Sequence, residues 1–488
     1  MIGIYIGLAL YIAATFGLSI YTGRKENKKS AKEYIVGDKN YGSILTAFSM
    51  GTTLASGFAY IGLVGMGYTM GLEATWQCIF GTILEFITWY YLAHKLRRMS
   101  DMTEVLTPIE AMSKFHGDPH NLIKIFGGLF IGLFMTFYLA GQFTAGSKAA
   151  AIMNLDPVTV AIAIAVLTII YIFVGGMNAA VWTNAIQGFI MIISFFVLVI
   201  VALSQVGGFN GLFDKLAMEA PNIIQWNNGK SYSDATIHIL NYWLGSAAGF
   251  LAQPQAIQKF ITIKNEKEIR KSALLSCIFN IIRQLGPVII GMAGRIIYPF
   301  ITDPETVIPT LIVDYIPNVF GGIMMAGIFA AIMSTTESLL LHSTSELTRN
   351  FLQKGIWINK NLSEKNWAQV TRVLTVIIGI VSLLLSLYGP KNVFTMIIFA
   401  WTGLFTSVGP SLYLGLMWKK CTSWGILSGI ITGIPATTIW FNFIKPITGI
   451  HEAYSVIIPL AAVIIVSLAT QNQKEEDNFA ERINAESF

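Results

Sequence analysis

Gly51-Thr52-Thr53-Leu54-Ala55-Ser56-Gly57 interrupts an apolar run that extends from about residue 43 to residue 70. Small and hydroxyl residues crowded inside one hydrophobic run allow two readings. They let neighbouring helices approach closely. They also mark a helix broken near the membrane midplane, whose unwound carbonyls can hold a cation and whose freed amides can meet a carboxylate. Both readings need the run to cross a bilayer, and its surroundings say that it does. Apolar stretches recur at about residues 2–22, 43–70, 74–94, 122–153, 156–175, 180–204, 236–256, 272–300, 318–345, 369–388, 392–417, 423–443 and 454–470. A helix needs about 20 apolar residues to span lipid, so the pattern predicts an all-α membrane protein of about 13 transmembrane helices.

Composition agrees. Of the 488 residues 54% are hydrophobic and 12% charged, and the mean hydropathy is +0.61. Such a chain has too little polar surface for a water-soluble fold of this length. Cys78, Cys277 and Cys421 show no metal or disulfide spacing and read as small packing residues. The opening run lacks a basic segment before it and is followed by Arg24, Lys25, Lys28, Lys29 and Lys32, so it reads as an uncleaved first span rather than a signal peptide.

Basic clusters fall in alternate loops: Arg24 to Lys39, Lys95 to Lys114, Lys259 to Lys271, Arg349 to Lys365, and Lys419 with Lys420. The positive-inside rule puts these loops in the cytoplasm. The N-terminus is then outside and the polar tail 471–488 cytoplasmic, in a multi-pass protein of the cell membrane. Residues 1–470 form a single polytopic domain, and the loop Gly175–Ala180 is assigned inside by parity alone.

Four ordered stretches carry a family resemblance. They are Ala47-Phe48-Ser49 through Gly62; Gly175-Gly176 with Ala180-Val181-Trp182-Thr183-Asn184-Ala185-Ile186-Gln187-Gly188; Ala330-Ala331-Ile332-Met333-Ser334-Thr335 with Ser343-Thr344-Ser345-Glu346; and Ala400-Trp401, Gly403, Gly409-Pro410 and Leu416-Met417-Trp418-Lys419. With Gln253-Pro254 they resemble the sodium/solute symporter family, nearest its proline-permease-like branch, from about residue 30 to 425. The resemblance implies an inverted five-plus-five repeat of the leucine-transporter type. Its core repeats would cover about 43–256 and 272–443, with one leading and two trailing helices and the solute and ion held between the repeats.

A dehydrated sodium ion needs about five hard oxygen ligands. Ala331, Ser334 and Thr335 are spaced i, i+3, i+4, which puts one carbonyl and two hydroxyls on one helix face. Matching the family's common sodium site adds backbone carbonyls of Gly51 and Leu54. The bland alternative is hydroxyls bonded back to the preceding turn. Two departures stand out: Leu54 replaces an acid of the proline-permease branch, and Asn184 replaces the Asp that usually follows Trp-Thr. Some relatives bind a second sodium with that Asp, and the matching positions here are Ser334, Glu337 and Ser338. Glu337 with Ser338 and Asn184 is thus a candidate second cation or proton site.

Glu85, Arg283 and Glu337 lie inside spans, where a charge costs about 2.5–3.5 kcal/mol, so each is expected to be paired or functional. Arg283 would pair with Glu85 or Glu337. For the solute, the resemblance points to Ser246 and Phe250 ahead of Gln253-Pro254, and the freed amides of the break add Thr52, Thr53, Ser56 and Gly57. Tyr242 and Trp243 read equally as interfacial anchors. Few amide or acidic side chains are expected near these positions. A small zwitterion or carboxylate, such as proline, is therefore favoured over a sugar.

The implied function is import of a small solute coupled to Na+, with the lipid bilayer and the solute as partners and neither a nucleic acid nor an obligate protein partner. Alternatives are a proton-coupled or sugar or organic-acid carrier of the same fold, and a non-transporting solute sensor. The absence of a phosphate-binding loop argues against a primary pump. His94, His116, His120, His238, His342 and His451 show no catalytic constellation, so an enzyme is not expected.

Overall fold

The computed structural model describes residues 2–24, 41–103, 105, 107–360 and 362–471, and nearly all of them are helical. Among these residues the only β pairing is an isolated bridge between Tyr41 and Ile263. The basic cluster Lys25–Lys39 and all but Gln471 of the polar tail lie outside the described residues.

The helices that position the site are α1 (Ile2–Arg24), α2 (Ser43–Gly57), α3 (Leu63–Met70), α4 (Thr75–Thr88), α5 (Leu122–Ile152), α6 (Pro157–Val206), α7 (Tyr232–His238), α8 (Pro254–Thr262), α9 (Lys267–Ile297), α10 (Asn318–Ser345), α11 (Glu364–Tyr388), α12 (Val393–Met417), α13 (Ser423–Ile439) and α14 (Ile457–Ala469). Among the described residues nine stretches are long and apolar enough to cross a membrane, and Ile2–Thr15 and Pro157–Ile170 are shorter apolar stretches. The first of the nine, Ser43–Met102, contains Gly71 at φ 60°, where the chain leaves α3. That conformation suits glycine because it has no Cβ to clash.

Backbone across Gly175–Ala180 is helical rather than a loop, since α6 runs for 50 residues. A straight helix of that length would be about 75 Å long, well beyond a hydrocarbon core of about 30 Å. Ile164 packs near Gly146, which in turn lies near Ile332. Gly188 lies against Thr52, whose carbonyl faces Thr335, and Ser194 lies against Gly327. The later part of α6 therefore meets α2 and the Gly327 turn of α10, while its first part lies against α5 at Gly146.

The first helix of each expected repeat is interrupted. Ser56 stands at φ 43°, ψ 177°, inside the last turn of α2, just before a wide π-type turn over Phe58–Gly62 that leads into α3. In the second, Ala248–Ala252 tightens into a 3-10 turn, and Gln253 is extended at φ −82°, ψ 100° before Pro254 starts α8. Proline at a helix start loses only an amide bond that the first turn lacks anyway. The span expected at 236–256 thus continues to Thr262. All nine residues of α8 are buried, so Lys259 belongs to a buried half-helix and not to the cytoplasmic loop predicted from its charge.

Ion pairs mark the two ends of the bundle. At one end Arg98 meets Glu266 at 2.6 Å and Lys354 meets Glu110 at 2.6 Å. Burial pushes the Glu110 carboxyl up, but the Arg349 and Lys354 charges outweigh it and hold the group below its usual value. At the other end Lys148 meets Asp303 at 2.6 Å and Glu305 at 2.5 Å, and Lys445 meets Glu452 at 2.7 Å.

Candidate ion and solute sites at the broken helices

Breaking α2 at Ser56 frees backbone groups, and most of them find partners nearby. The Gly57 amide donates to Gln142 Oε1 at 2.8 Å, and the Phe58 amide donates to Ser56 Oγ at 3.1 Å. A Cβ on Gly57 would stand 2.5 Å from Ala145 Cβ, so close approach of α2 and α5 requires glycine there. These amides are engaged with the protein itself, which removes them as ready-made anchors for a carboxylate.

On the cation side, α10 brings its two hydroxyls against the carbonyls of α2. Thr335 Oγ1 lies 3.1 Å from Thr53 O and 3.5 Å from Thr52 O. Ser334 Oγ lies 3.5 Å from Thr52 O and 3.1 Å from Ala331 O. Five hard oxygens, from Thr52, Thr53, Ala331, Ser334 and Thr335, therefore converge in a fully buried place. The donor set suits sodium. The carbonyls that meet the hydroxyls belong to Thr52 and Thr53, not to Gly51 and Leu54. Leu54 O instead accepts a hydrogen bond from Arg283 Nη1 at 3.0 Å, and Gly51 packs against the Phe279 ring. The positive guanidinium on Leu54 O would repel a cation at the same oxygen, whereas Thr52 O and Thr53 O face only neutral hydroxyls. Thr52 and Thr53 bond their own hydroxyls back to Phe48 O and Ser49 O, at 2.9 and 2.8 Å.

The second group, Glu337, Ser338 and Asn184, is also buried. Ser338 Oγ lies 3.2 Å from Thr53 Oγ1, and both polar atoms of the Asn184 amide are buried with no partner among the described residues. Glu337 does not pair with Arg283.

Arg283 lies beside Glu85, with Nη2 3.9 Å from Glu85 Oε2, and its guanidinium sits 5.4 Å from the centre of the Phe250 ring. Glu85 Oε1 accepts from Ser276 Oγ at 2.5 Å. Arg283 Nε and Nη2 and Glu85 Oε2 remain buried without hydrogen-bond partners among the described residues. Phe250 also meets Trp401 edge-on, at 4.9 Å between ring centres. Ser246 Oγ donates to Gln77 Oε1 at 2.9 Å, and Gln253 Oε1 accepts from Gln255 at 2.7 Å while its own Nε2 is unpartnered. Ser246, Phe250 and Gln253 are thus all buried near the second break.

Two expectations are not met. Trp243 is fully buried, with its indole N–H donating to Glu73 at 3.3 Å, so it is not an interfacial anchor. Amide side chains are plentiful: Gln77, Gln142, Gln253 and Gln284 are all buried around the two breaks. These glutamines lie in different spans, and sequence distance hid their convergence. Lys259 was missed as an intramembrane charge because it adjoins a basic loop in sequence.

Comparison with known proteins places this geometry. Residues 34–433 match the sodium:solute symporter family. The chain is 30% identical to a sodium/proline symporter of Staphylococcus aureus over 98% of its own length and 94% of that protein's. Its fold matches a Na+-coupled sialic acid symporter in a substrate-bound outward-open state, with a TM-score of 0.77 at 18% identity over 97% of this chain and 98% of the other. It also matches Mhp1, a nucleobase-cation-symport-1 family transporter, with a TM-score of 0.58 at 12% identity over 91% and 95% of the two chains. The fold is therefore of the leucine-transporter type, and the chain belongs to the sodium:solute symporter family, as a multi-pass membrane protein that couples a small solute to Na+ as a secondary transporter and is not an enzyme.

Proposed function

We propose that this chain imports a small carboxylate, an amino acid such as proline or a close relative, together with sodium bound by Thr52, Thr53, Ala331, Ser334 and Thr335. The observation that carries the solute reading is the unpartnered Nε–Nη2 edge of Arg283 beside the unpartnered Glu85 Oε2. A buried donor left unbonded costs about 1–3 kcal/mol, so these atoms await a partner. A guanidinium edge offers two parallel N–H groups that match a carboxylate. Glu85 Oε2, 3.9 Å away, would receive the ammonium or imino group of the same zwitterion. Phe250 would line the apolar side.

Sodium and solute would meet at the Ser56 break from opposite sides, because Leu54 O is bonded to Arg283 while the carbonyls of Thr52 and Thr53 face α10. Occupancy of one site thereby sets the backbone that holds the other, which is the physical content of coupling. Alternating access would move the two repeats, about 43–256 and 272–443, around this point within one membrane domain of about 13 helices. The clustering of Arg98, Lys354 and Arg349 at one end supports a cytoplasmic assignment for that end, with the N-terminus outside and the C-terminus inside a plasma membrane.

The buried glutamines favour a second reading, a carboxylate that also carries hydroxyls. Uptake of labelled L-proline, other amino acids, hydroxy-acids and neutral sugars into proteoliposomes tests both. An inward sodium gradient should accumulate at least one carboxylate, and its amide analogue should not compete. Accumulation of a neutral sugar alone would sink the proposal, and no driven uptake of any compound would favour a sensor.

A further inference from the structure

Lys259 is a lysine buried inside the bundle, on the half-helix α8 that follows the second break. Its Nζ donates to Ser49 Oγ at 2.7 Å, and Ser49 O accepts the Thr53 hydroxyl at 2.8 Å. That hydroxyl reaches Ser338, the residue after Glu337. Helix α8 packs on α10. Glu337 and Lys259 are thus brought to one buried region, where α8 and α10 both meet α2. Asn184 is a turn before Gly188, which lies on Thr52 and Phe48, and it presents a buried amide with both atoms unpartnered.

One buried carboxylate needs one monovalent cation for neutrality in a medium that penalises net charge. Glu337, Ser338 and Asn184 would supply a ligand set for such a cation, and the Lys259 ammonium already stands in the same buried region, on Ser49. A sodium ion added there would leave a buried excess of one positive charge.

We propose that the Lys259 ammonium is the tethered counter-cation of Glu337, so that the position matching a second sodium site is closed to sodium and this chain binds a single coupling ion. Lysine suits the role because its ammonium is a compact point charge on a flexible stem, which can approach a carboxylate as a small cation does. The proposal rests on the sodium reading of the Thr52, Thr53, Ala331, Ser334 and Thr335 group, and it concerns how many ions accompany that first one.

Equilibrium binding of radioactive sodium to the purified full-length protein counts the ions without knowledge of the solute. The wild type should bind one sodium per chain, K259M two, and K259M/E337Q one again. A folded K259M that still binds one would overturn the proposal. So would a wild type that binds two and loses one in E337Q. Should K259M fail to fold, the wild-type count together with an unchanged count in E337Q supports it. The double variant S334A/T335V reports on the underlying reading separately: it should abolish binding in the wild type, and if the count is unchanged the first site lies elsewhere.

Discussion

Arg283 and Lys259 are both buried cations bonded to the broken helix α2, yet the fold holds them in opposite ways. Arg283 fixes a backbone carbonyl with one nitrogen, stacks on Phe250 and leaves a planar edge unpartnered beside Glu85. Lys259 gives its ammonium to a single hydroxyl, on a half-helix that packs on the helix carrying Glu337. A planar fork preserves direction, whereas an ammonium preserves only charge. The roles proposed above follow this contrast, with direction-dependent recognition at Arg283 and charge balance at Lys259. Conservative exchanges at the two positions should therefore have very different consequences.

The largest effect is expected from R283K, which keeps the charge and removes the fork. Uptake efficiency for the carboxylate should fall by about 100-fold or more, the loss of roughly 3 kcal/mol that accompanies a missing charge-assisted, bidentate contact. K259R should retain uptake within about tenfold, because charge is all that the position is asked to supply. Equal losses in the two variants would erase the distinction drawn between them. Initial rates of sodium-driven uptake against solute concentration measure both.

Next in size is the single variant T335V, which removes a hydroxyl facing the carbonyls of Thr52 and Thr53. A hydrogen-bonding or ligating hydroxyl is worth about 1–1.5 kcal/mol, so the sodium concentration for half-maximal uptake should rise about tenfold. The maximal rate at saturating sodium should be retained. A fall in maximal rate with unchanged sodium dependence would place the ion elsewhere. G57A is expected to act on stability first, since the added methyl meets Ala145 Cβ at 2.5 Å. Overpacking of this kind costs about 1–3 kcal/mol and should lower the melting temperature in detergent by a few degrees.

How much of this was readable in the sequence depends on the range of the interaction concerned. Hydropathy located the helices, because a spanning segment satisfies its backbone within itself and so declares itself locally. The break was readable from Gly51 to Gly57, for the same reason. The α2 carbonyls that face Ser334 and Thr335 are those of Thr52 and Thr53, each one residue from the expected Gly51 and Leu54, since helical spacing within α10 says nothing about which carbonyls of another helix face it. Arg283 taking the Leu54 carbonyl, 229 residues away, could not be read from any local pattern. The same holds for the four glutamines that converge from separate spans. Lys259 was misplaced because a charge next to a basic loop looks like part of the loop until the helix is seen to continue past it.

The smallest effect lies farthest from both cations, at Glu110, where Arg349 and Lys354 converge on one carboxylate that is 4% exposed on its side chain. Its carboxyl is held below its ordinary value, so the folded state binds this proton more weakly than the unfolded chain does. The resulting stability is fully present above the unfolded value, about 4.3, and is lost as pH falls through the lower folded value. Melting temperatures in detergent should therefore drop for the wild type as pH falls from about 5 downward. E110Q should be less stable at pH 7, because Arg349 and Lys354 lose their shared anion, and its melting temperature should change less over the acidic range. A wild type and an E110Q variant with parallel acid profiles would show that this end of the bundle draws no stability from the triad. Because the triad joins the helix Pro108–His116 to the chain just after α10, its loss should leave the half-maximal sodium concentration unchanged, which separates the scaffold at this end from the chemistry around Ser56.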